Sequence, residues 1–551
     1  MNATPRGWID RQWTRCLVSL RTLGQRRTTV VLTLAVLGFV GSAGLALIRG
    51  IPVPHVHDEF AYLLAADTFS EGRLTNPTHQ HWKHFETFHV IQKPTRQAKY
   101  PPAQGLLLAA GQTVTGYPAA GLWLGAGLLA GAAAWALLLW LPPGWGLMMA
   151  LFCTVQVTWF SYWSHSYWGG TVAAIAGALL FGSFRALTLR PRMRHGIALG
   201  AALGILAASR PFEGAIAGIL VALALGAHLL RRRAEGLWRS LAQGVIPAAL
   251  SLGLLLCGLG IYNQQVTGSA LTMPYQLHEE QYASAPTFLF QAASGPLPNY
   301  RHPEMERSWR FWGLERHERK RSLDYLPKEV IMKTFRNLIF FLGPGLVAFL
   351  GYCYPVPRAQ NFRFPLTALA LVMVASLTTK ASWAHYIAPV TVLFYVVMGI
   401  GLCAIHRRAR WTRGPNASPI LLLACAFTVL VGLVNFLVSS PTAFQEERQA
   451  VLSYLKQAPG NDLVLVSYEK ATAHHREWVY NRADIDAAPV VWARSMSKTR
   501  NANLRAYFSD RTHWILTVGD EITLRRLPND AIRTGVRSDG SCEWATSGDR
   551  R

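Results

Sequence analysis

From Ala119 to Leu141 no side chain carries a charge, and residues 171–181 form another uncharged apolar run. Runs of about 20 apolar residues match the hydrocarbon thickness of a bilayer. A chain with several of them must place them in lipid or bury them all. Composition decides between the two. Of 551 residues, 51% are hydrophobic and 15% charged, where a soluble chain has about 25% charged residues. Mean hydropathy is +0.18. These values exclude a cytosolic globular enzyme, a disordered protein and a coiled coil. They leave a polytopic α-helical membrane protein with some mass outside the bilayer.

The net charge of +24 is one that nucleic-acid binders share, so its placement matters. Twenty arginines lie in five short segments, Arg6 to Arg27, Arg185 to Arg194, Arg231 to Arg239, Arg358 to Arg363 and Arg407 to Arg413, against only Asp10 and Glu235. Each segment borders an apolar run, as the positive-inside rule requires of cytoplasmic loops. Membrane orientation accounts for the basicity, and no nucleic-acid partner is implied. The seven cysteines are scattered without a CxxC pair, which argues against a disulfide framework or a thiolate metal site. Residues 28–48 are too long for a signal-peptide core and read as a retained first helix.

Threading the apolar segments between the basic ones gives eleven crossings: 28–48, 117–141, 146–162, 169–187, 197–208, 214–230, 241–262, 337–352, 364–377, 386–405 and 419–438. With a basic N-terminus (1–27) in the cytoplasm, every basic segment falls inside. The long polar loops 49–104 and 263–336 and the C-terminus then fall outside. Residues 106–114, apolar but short, read as a helix at the outer interface. The transmembrane domain is thus 28–440. From 441 the composition turns polar. Residues 462–467 and 513–519 read as buried strands, and 449–456 and 498–508 as amphipathic helices. Residues 441–551 are therefore expected to form a small extracytoplasmic α/β domain, with a loose tail after 530. It carries no GxGxxG or GxxxxGK loop and so no nucleotide site.

The apolar spans are nearly free of ionisable groups, which transporters and pumps usually carry at mid-membrane. Ionisable residues gather instead at the outer ends and outer loops, favouring chemistry there. His55-Val56-His57-Asp58-Glu59 opens a helix whose buried stripe would include Ala61, Leu64, Ala65 and Thr68. A carboxylate at a helix N-terminus is held as the anion, which suits a general base and equally suits a cap. Lys99-Tyr100-Pro101-Pro102 precedes the interfacial helix, where Lys99 could meet a phosphate or anchor the interface. Arg210 lies on the outer side against the positive-inside bias, so it needs an anion: Glu213, a lipid headgroup or a substrate phosphate. Lys380 to Tyr386, with His385, opens the tenth span as a second cationic site or as an aromatic belt. Six histidines crowd the first loop. Of these His55 and His57 are the candidate ligands for a divalent metal, although no tight zinc spacing is present. His165 is another outer-face candidate. Tyr275 and Glu279 belong to the second loop, which reads as a lid.

A helix, then Asp58-Glu59 with Tyr62 and Ala65, then Gly72-Arg73-Leu74-Thr75-Asn76-Pro77, then Lys99-Tyr100-Pro101-Pro102, resembles the GT-C superfamily of integral-membrane glycosyltransferases. Its members include aminoarabinose transferases, protein O-mannosyltransferases and family-39-like enzymes. Arg210-Pro211 and His385-Tyr386-Ile387-Ala388-Pro389 resemble further pieces of that pattern. The resemblance is specific over residues 53–108 and is one of layout elsewhere. It implies an inverting transferase that moves a sugar from a polyprenyl-phosphate donor to a lipid, glycan or protein acceptor, at the outer face of a bacterial inner membrane. Asp58 would be the general base and Glu59 a helper orienting the acceptor. Lys99, Arg210, Lys380 and His385 would contact the donor phosphate, and Tyr62, Tyr100, His165 and Glu279 would line the substrate. Where some relatives carry an acidic residue after the third span, this chain reads Ser161 to Ser166, so the carry-over of a second carboxylate or an identical metal site stops there. The alternative readings are a lipid or polysaccharide transporter and a non-catalytic relative with a binding role.

Overall fold

The computed structural model describes residues 5–231, 234–293, 296–343, 360–380, 383–412, 418–439, 441–457, 459–469, 476–528 and 541–543. Among these, six helices are long and apolar enough to cross a membrane: Arg27–Arg49, Ala119–Trp140, Thr171–Leu189, Pro211–Leu230, Gly236–Thr267 and Ala384–Arg407. A bent pair, Ala426–Val438 with Ala443–Gln457, would make a seventh. At about 1.5 Å per residue, the 23 residues of Arg27–Arg49 outreach the ~30 Å hydrocarbon core. Its Leu32, Val36, Val40 and Leu47 face outward, as do Ile219, Leu223, Leu250 and Leu254 on other spans. Outward apolar stripes of this kind suit contact with lipid rather than water. By contrast 89% of the apolar window of Ala384–Arg407 is buried in protein, which makes it the central helix.

Without a hydrophobic force between helices in lipid, close packing of small residues holds them together. A Cβ added at Gly177 would lie 1.8 Å from the Pro389 carbonyl oxygen, and one at Gly111 would lie 2.0 Å from the Gly121 nitrogen. The first contact seats Thr171–Leu189 on the central helix, and the second seats the short helix Ala103–Thr115 on Ala119–Trp140.

Of the remaining expected crossings, 364–377 lies in the helix Gln360–Leu377 and 419–438 in the helix Ser418–Val438, and the others take other forms. Residues 146–162 resolve into Pro143–Cys153, a π-turn Thr154–Trp159 and a 3-10 turn Tyr162–Ser164. The hydroxyls of Thr154, Thr158 and Ser161 each donate to the carbonyl four residues back, which bends the ladder. Met193–Ala207 has 15 residues, too short for the full core at about 1.5 Å each. The eighth expected span begins inside Leu326–Leu342 and continues outside the described residues. A helix the sequence reading did not expect, Pro5–Gln25, precedes the first span, with Trp13 edge-on to Trp145 at 6.1 Å.

The described residues from Ala443 onward form two helices, Ala443–Gln457 and Lys498–Tyr507, and a five-stranded sheet. The strands are β3 (Asp462–Tyr468), β4 (Val490–Arg494), β5 (Thr512–Val518), β6 (Ile522–Arg526) and β7 (Ser541–Glu543), in the order β4-β3-β5-β6-β7. They are numbered after a two-stranded hairpin of the first loop, β1 (Val90–Ile91) and β2 (Gln97–Ala98). β3 pairs in parallel with β4 and β5, and β6 returns antiparallel. Most of the tail after 530 lies outside the described residues.

Both long loops and this C-terminal unit pack on one another. Arg96 donates to the carbonyls of Asn481, Arg482 and Ala483, and Asp67 accepts from the Ala483 N–H at 2.7 Å. Arg494, fully buried, donates to the Glu86 carbonyl at 2.6 Å and pairs with Glu304 and Glu477. One guanidinium thus ties the first loop, the second loop and the sheet together. Removing one partner of a buried pair strands the others and costs about 3–5 kcal/mol. Arg494→Met should therefore lower the apparent Tm of the detergent-solubilised protein by several degrees; an unchanged melting curve would show that the cluster contributes nothing.

Candidate active site

The helix His57–Ser70 begins after Val56, which is extended. Its second carboxylate, Glu59, is fully buried. It accepts from the N–H of His55 at 2.8 Å, of Val56 at 3.3 Å and of Tyr167 at 3.0 Å, with the His55 ring at 3.0 Å. These partners occupy its lone pairs. Glu59 therefore pins the helix start; the resemblance implied a helper that orients the acceptor. Glu59→Ala should destabilise the protein by about 1–3 kcal/mol, with Glu59→Gln intermediate, as read by thermal unfolding in detergent.

Asp58 points elsewhere. Its Oδ1 accepts the Tyr100 hydroxyl, its Oδ2 lies 4.0 Å from His89 Nε2, and its side chain is 28% exposed. The hairpin β1–β2 brings His89 and Lys99 together, since the Lys99 N–H donates to the His89 carbonyl at 3.0 Å. Lys99 is buried. Its ammonium lies over the rings of Tyr275 at 5.1 Å, Tyr100 at 5.3 Å and Trp309 at 6.0 Å, and among the described residues no carboxylate lies within ion-pair distance of it. Burial pushes the Lys99 ammonium down to about 8, against the pull of Asp58 and with the repulsion of Lys380.

Lys380 is near enough to repel this cation. Its ammonium donates to the Ala285 carbonyl at 3.1 Å, and burial lowers its pKa while Glu279 opposes that shift. Glu279 is itself held by the Thr287 hydroxyl, in a second loop that roofs the site with Tyr275 and Trp309. Tyr62 stacks on Tyr100 at 4.5 Å. Arg210 lies over the Tyr386 ring at 4.4 Å, and among the described residues it makes no ion pair with Glu213. Tyr62 and Arg210 are close enough for the guanidinium to oppose the rise that burial gives the Tyr62 hydroxyl. His385 is buried, with Nδ1 2.8 Å from the Tyr162 hydroxyl and its ring 4.8 Å from Trp168.

Two expectations meet different surroundings. His165 turns from the site: its Nε2 faces the Trp159 carbonyl and its ring lies 4.5 Å from Phe436. His55 is engaged by Glu59, and His57 Nδ1 lies 2.9 Å from the Tyr480 hydroxyl. Among the described residues no group of three or more His, Cys, Asp or Glu side chains could hold a metal ion. Sequence reasoning missed His278, buried 5.6 Å from the Trp309 ring and 6.1 Å from His89. His278 lies in no motif, and only the folding of the second loop brings it in.

Helices of this number and apolarity, with one cluster of carboxylate and cations, define a polytopic membrane protein. No family model matches the sequence, and no curated protein matches it. Solved structures do share its fold. ArnT from Cupriavidus metallidurans bound to undecaprenyl phosphate superposes with a TM-score of 0.50 at 13% identity, covering 89% of this chain and 92% of that one. Its apo state gives 0.51 at 11%, covering 90% and 93%. The Archaeoglobus fulgidus oligosaccharyltransferase tethered to an acceptor peptide gives 0.50 at 12%, covering 88% and 68%. The chain therefore has the GT-C fold, which the resemblance over residues 53–108 implied.

Proposed function

We propose that this chain is an inverting glycosyltransferase that moves a sugar from a polyprenyl-phosphate donor to a lipid, glycan or protein acceptor, at the outer face of a bacterial inner membrane. The observation that carries the reading is the meeting of Asp58 with Lys99 beneath one aromatic roof, with Arg210 and Lys380 near by. Support comes from the fold shared with ArnT, whose structure holds undecaprenyl phosphate.

A donor of this kind keeps its tail in lipid and its phosphate at the headgroup plane. Lys99, Lys380 and Arg210 stabilise the charge that grows on the leaving phosphate, in a site with little water to screen them. Asp58 accepts the proton of the acceptor hydroxyl as its oxygen attacks the anomeric carbon from the side opposite the phosphate. Attack from that side inverts the carbon. Tyr100 holds Oδ1, leaving Oδ2 as the basic oxygen. Tyr275 and Trp309 exclude water from above.

In purified protein given undecaprenyl-phosphate hexoses and a cell-envelope extract, Asp58→Asn should lower release of undecaprenyl phosphate at least ~100-fold with an unchanged melting curve. Retained turnover would remove Asp58 from the role of base. Lys99 is charged below about 8 and neutral above it. Undecaprenyl phosphate should therefore bind the solubilised protein more weakly as pH rises through that value. In Lys99→Ala the affinity should drop about tenfold or more and lose this pH dependence; titration calorimetry checks both.

A further inference from the structure

His89 is the one described non-glycine residue with a backbone in the left-handed region, at φ +65°. Such outliers are uncommon and gather where a side chain must be held in one place. The hairpin holds it there. The register Val90↔Ala98 and Ile91↔Gln97 is extended by the bond from the Lys99 N–H to the His89 carbonyl, so the mouth of the hairpin delivers an imidazole and an ammonium to one site. The His89 ring stands edge-on to His57 and to Tyr100, each at 5.8 Å. It lies 6.1 Å from both His278 and Trp309. Its Nε2 is 4.0 Å from Asp58 Oδ2, the oxygen that Tyr100 leaves open.

We infer that His89 is a positioning residue that relays the proton away from Asp58; the inference rests on the reading of Asp58 as the base. As the acceptor oxygen bonds to the anomeric carbon, the bond from that carbon to the phosphate oxygen breaks and its electron pair leaves with the phosphate. The hydroxyl proton goes to Asp58. By way of one water Asp58 then passes it to His89 Nε2, 4.0 Å away, and the imidazolium loses it to bulk water, regenerating the carboxylate. An imidazole, with an ordinary pKa of about 6.5, takes a proton readily from a carboxylic acid and returns it near neutral pH. The titratable groups around the ring are Asp58 and His57 on the helix, Lys99 and Tyr100 following the hairpin, and His278 from the second loop. Asp58 favours the imidazolium, and positive charge on Lys99 opposes it.

Two measurements on the full chain in detergent test this. In ¹³C-histidine NMR the His89 signal, assigned by its loss in His89→Asn, should titrate about one pH unit lower in Asp58→Asn. An unmoved midpoint would overturn the coupling. In turnover of undecaprenyl-phosphate hexoses with envelope extract, His89→Asn keeps a residue that tolerates positive φ. It should lower kcat about 10- to 100-fold with the donor KM unchanged. His89→Gly should regain turnover when imidazole is added, which a merely structural residue would not allow. Wild-type kcat in His89→Asn from about pH 5 to 9, with Asp58→Asn inactive, would sink the relay and leave the base in place. Full turnover in Asp58→Asn would sink the underlying reading instead.

Discussion

The carboxylate of Glu59 sits out of water with three backbone N–H groups and an imidazole aimed at it, and the geometry of the site depends on that arrangement. Two of the donors precede the helix His57–Ser70, and the third belongs to Tyr167, more than a hundred residues further along. One anion thus fixes where the chain enters the helix and how the helix is rotated against the loop that follows the π-turn. Successive residues on a helix are about 100° apart. With Glu59 turned inward, its neighbour Asp58 faces the hairpin. Two adjacent acids so acquire opposite uses, one as a buried anchor and one as a partly open carboxylate.

The second constraint is electrostatic. A buried ammonium normally acquires a carboxylate, because desolvation alone disfavours its charge. Lys99 is surrounded instead by three aromatic faces, which attract a cation weakly and offer no ion pair. Lys380 and Arg210 repeat the theme, one bonded to a carbonyl and one laid on Tyr386. Under the proposed reading this is a device for affinity. Cations already stripped of water lose little more when a phosphate arrives, and the Coulombic gain at low dielectric is large. The same lack of a fixed counter-ion makes Lys99 titratable near neutrality, so charge and occupancy of the site are linked.

Much of this was legible in the sequence because its signals were local. Asp58-Glu59 and Lys99-Tyr100 stand at the ends of elements that periodicity and proline placement define, and the structure brings Asp58, Tyr100 and Lys99 together. The long apolar spans were equally plain. What failed was whatever depended on tertiary direction. Which of the adjacent Asp58 and Glu59 is buried could not be read, since the position of Tyr167 decides it. His165 sits among the expected aromatic residues, yet the break in the helix at Thr154–Trp159 turns it towards Phe436. Residues 146–162 looked like one span because hydroxyl back-bonding leaves hydropathy unchanged. In the C-terminal unit β4, β6 and β7 were missed; they have five, five and three residues, and β6 ends in two arginines.

The motif resemblance stops near residue 108, but the site does not. Its roof is Tyr275 and Trp309, and Trp309 directly follows the helix Pro303–Ser308, whose Glu304 is gripped by Arg494 from β4. The same arginine holds the carbonyl of Glu86, three residues before His89. Glu86 in turn takes Arg301 and His302 at 2.9 and 3.3 Å. The C-terminal unit therefore sets the distance between the floor of the site, carried by the first loop, and its roof, carried by the second. Among the described residues it does so through Tyr480 against His57 and through Arg494. A fold that lets chemistry sit in short loops still needs distant chain to hold those loops at a fixed spacing. A buried guanidinium with several acceptors does this better than an apolar contact, because its bonds are directional and its loss cannot be made good by sliding.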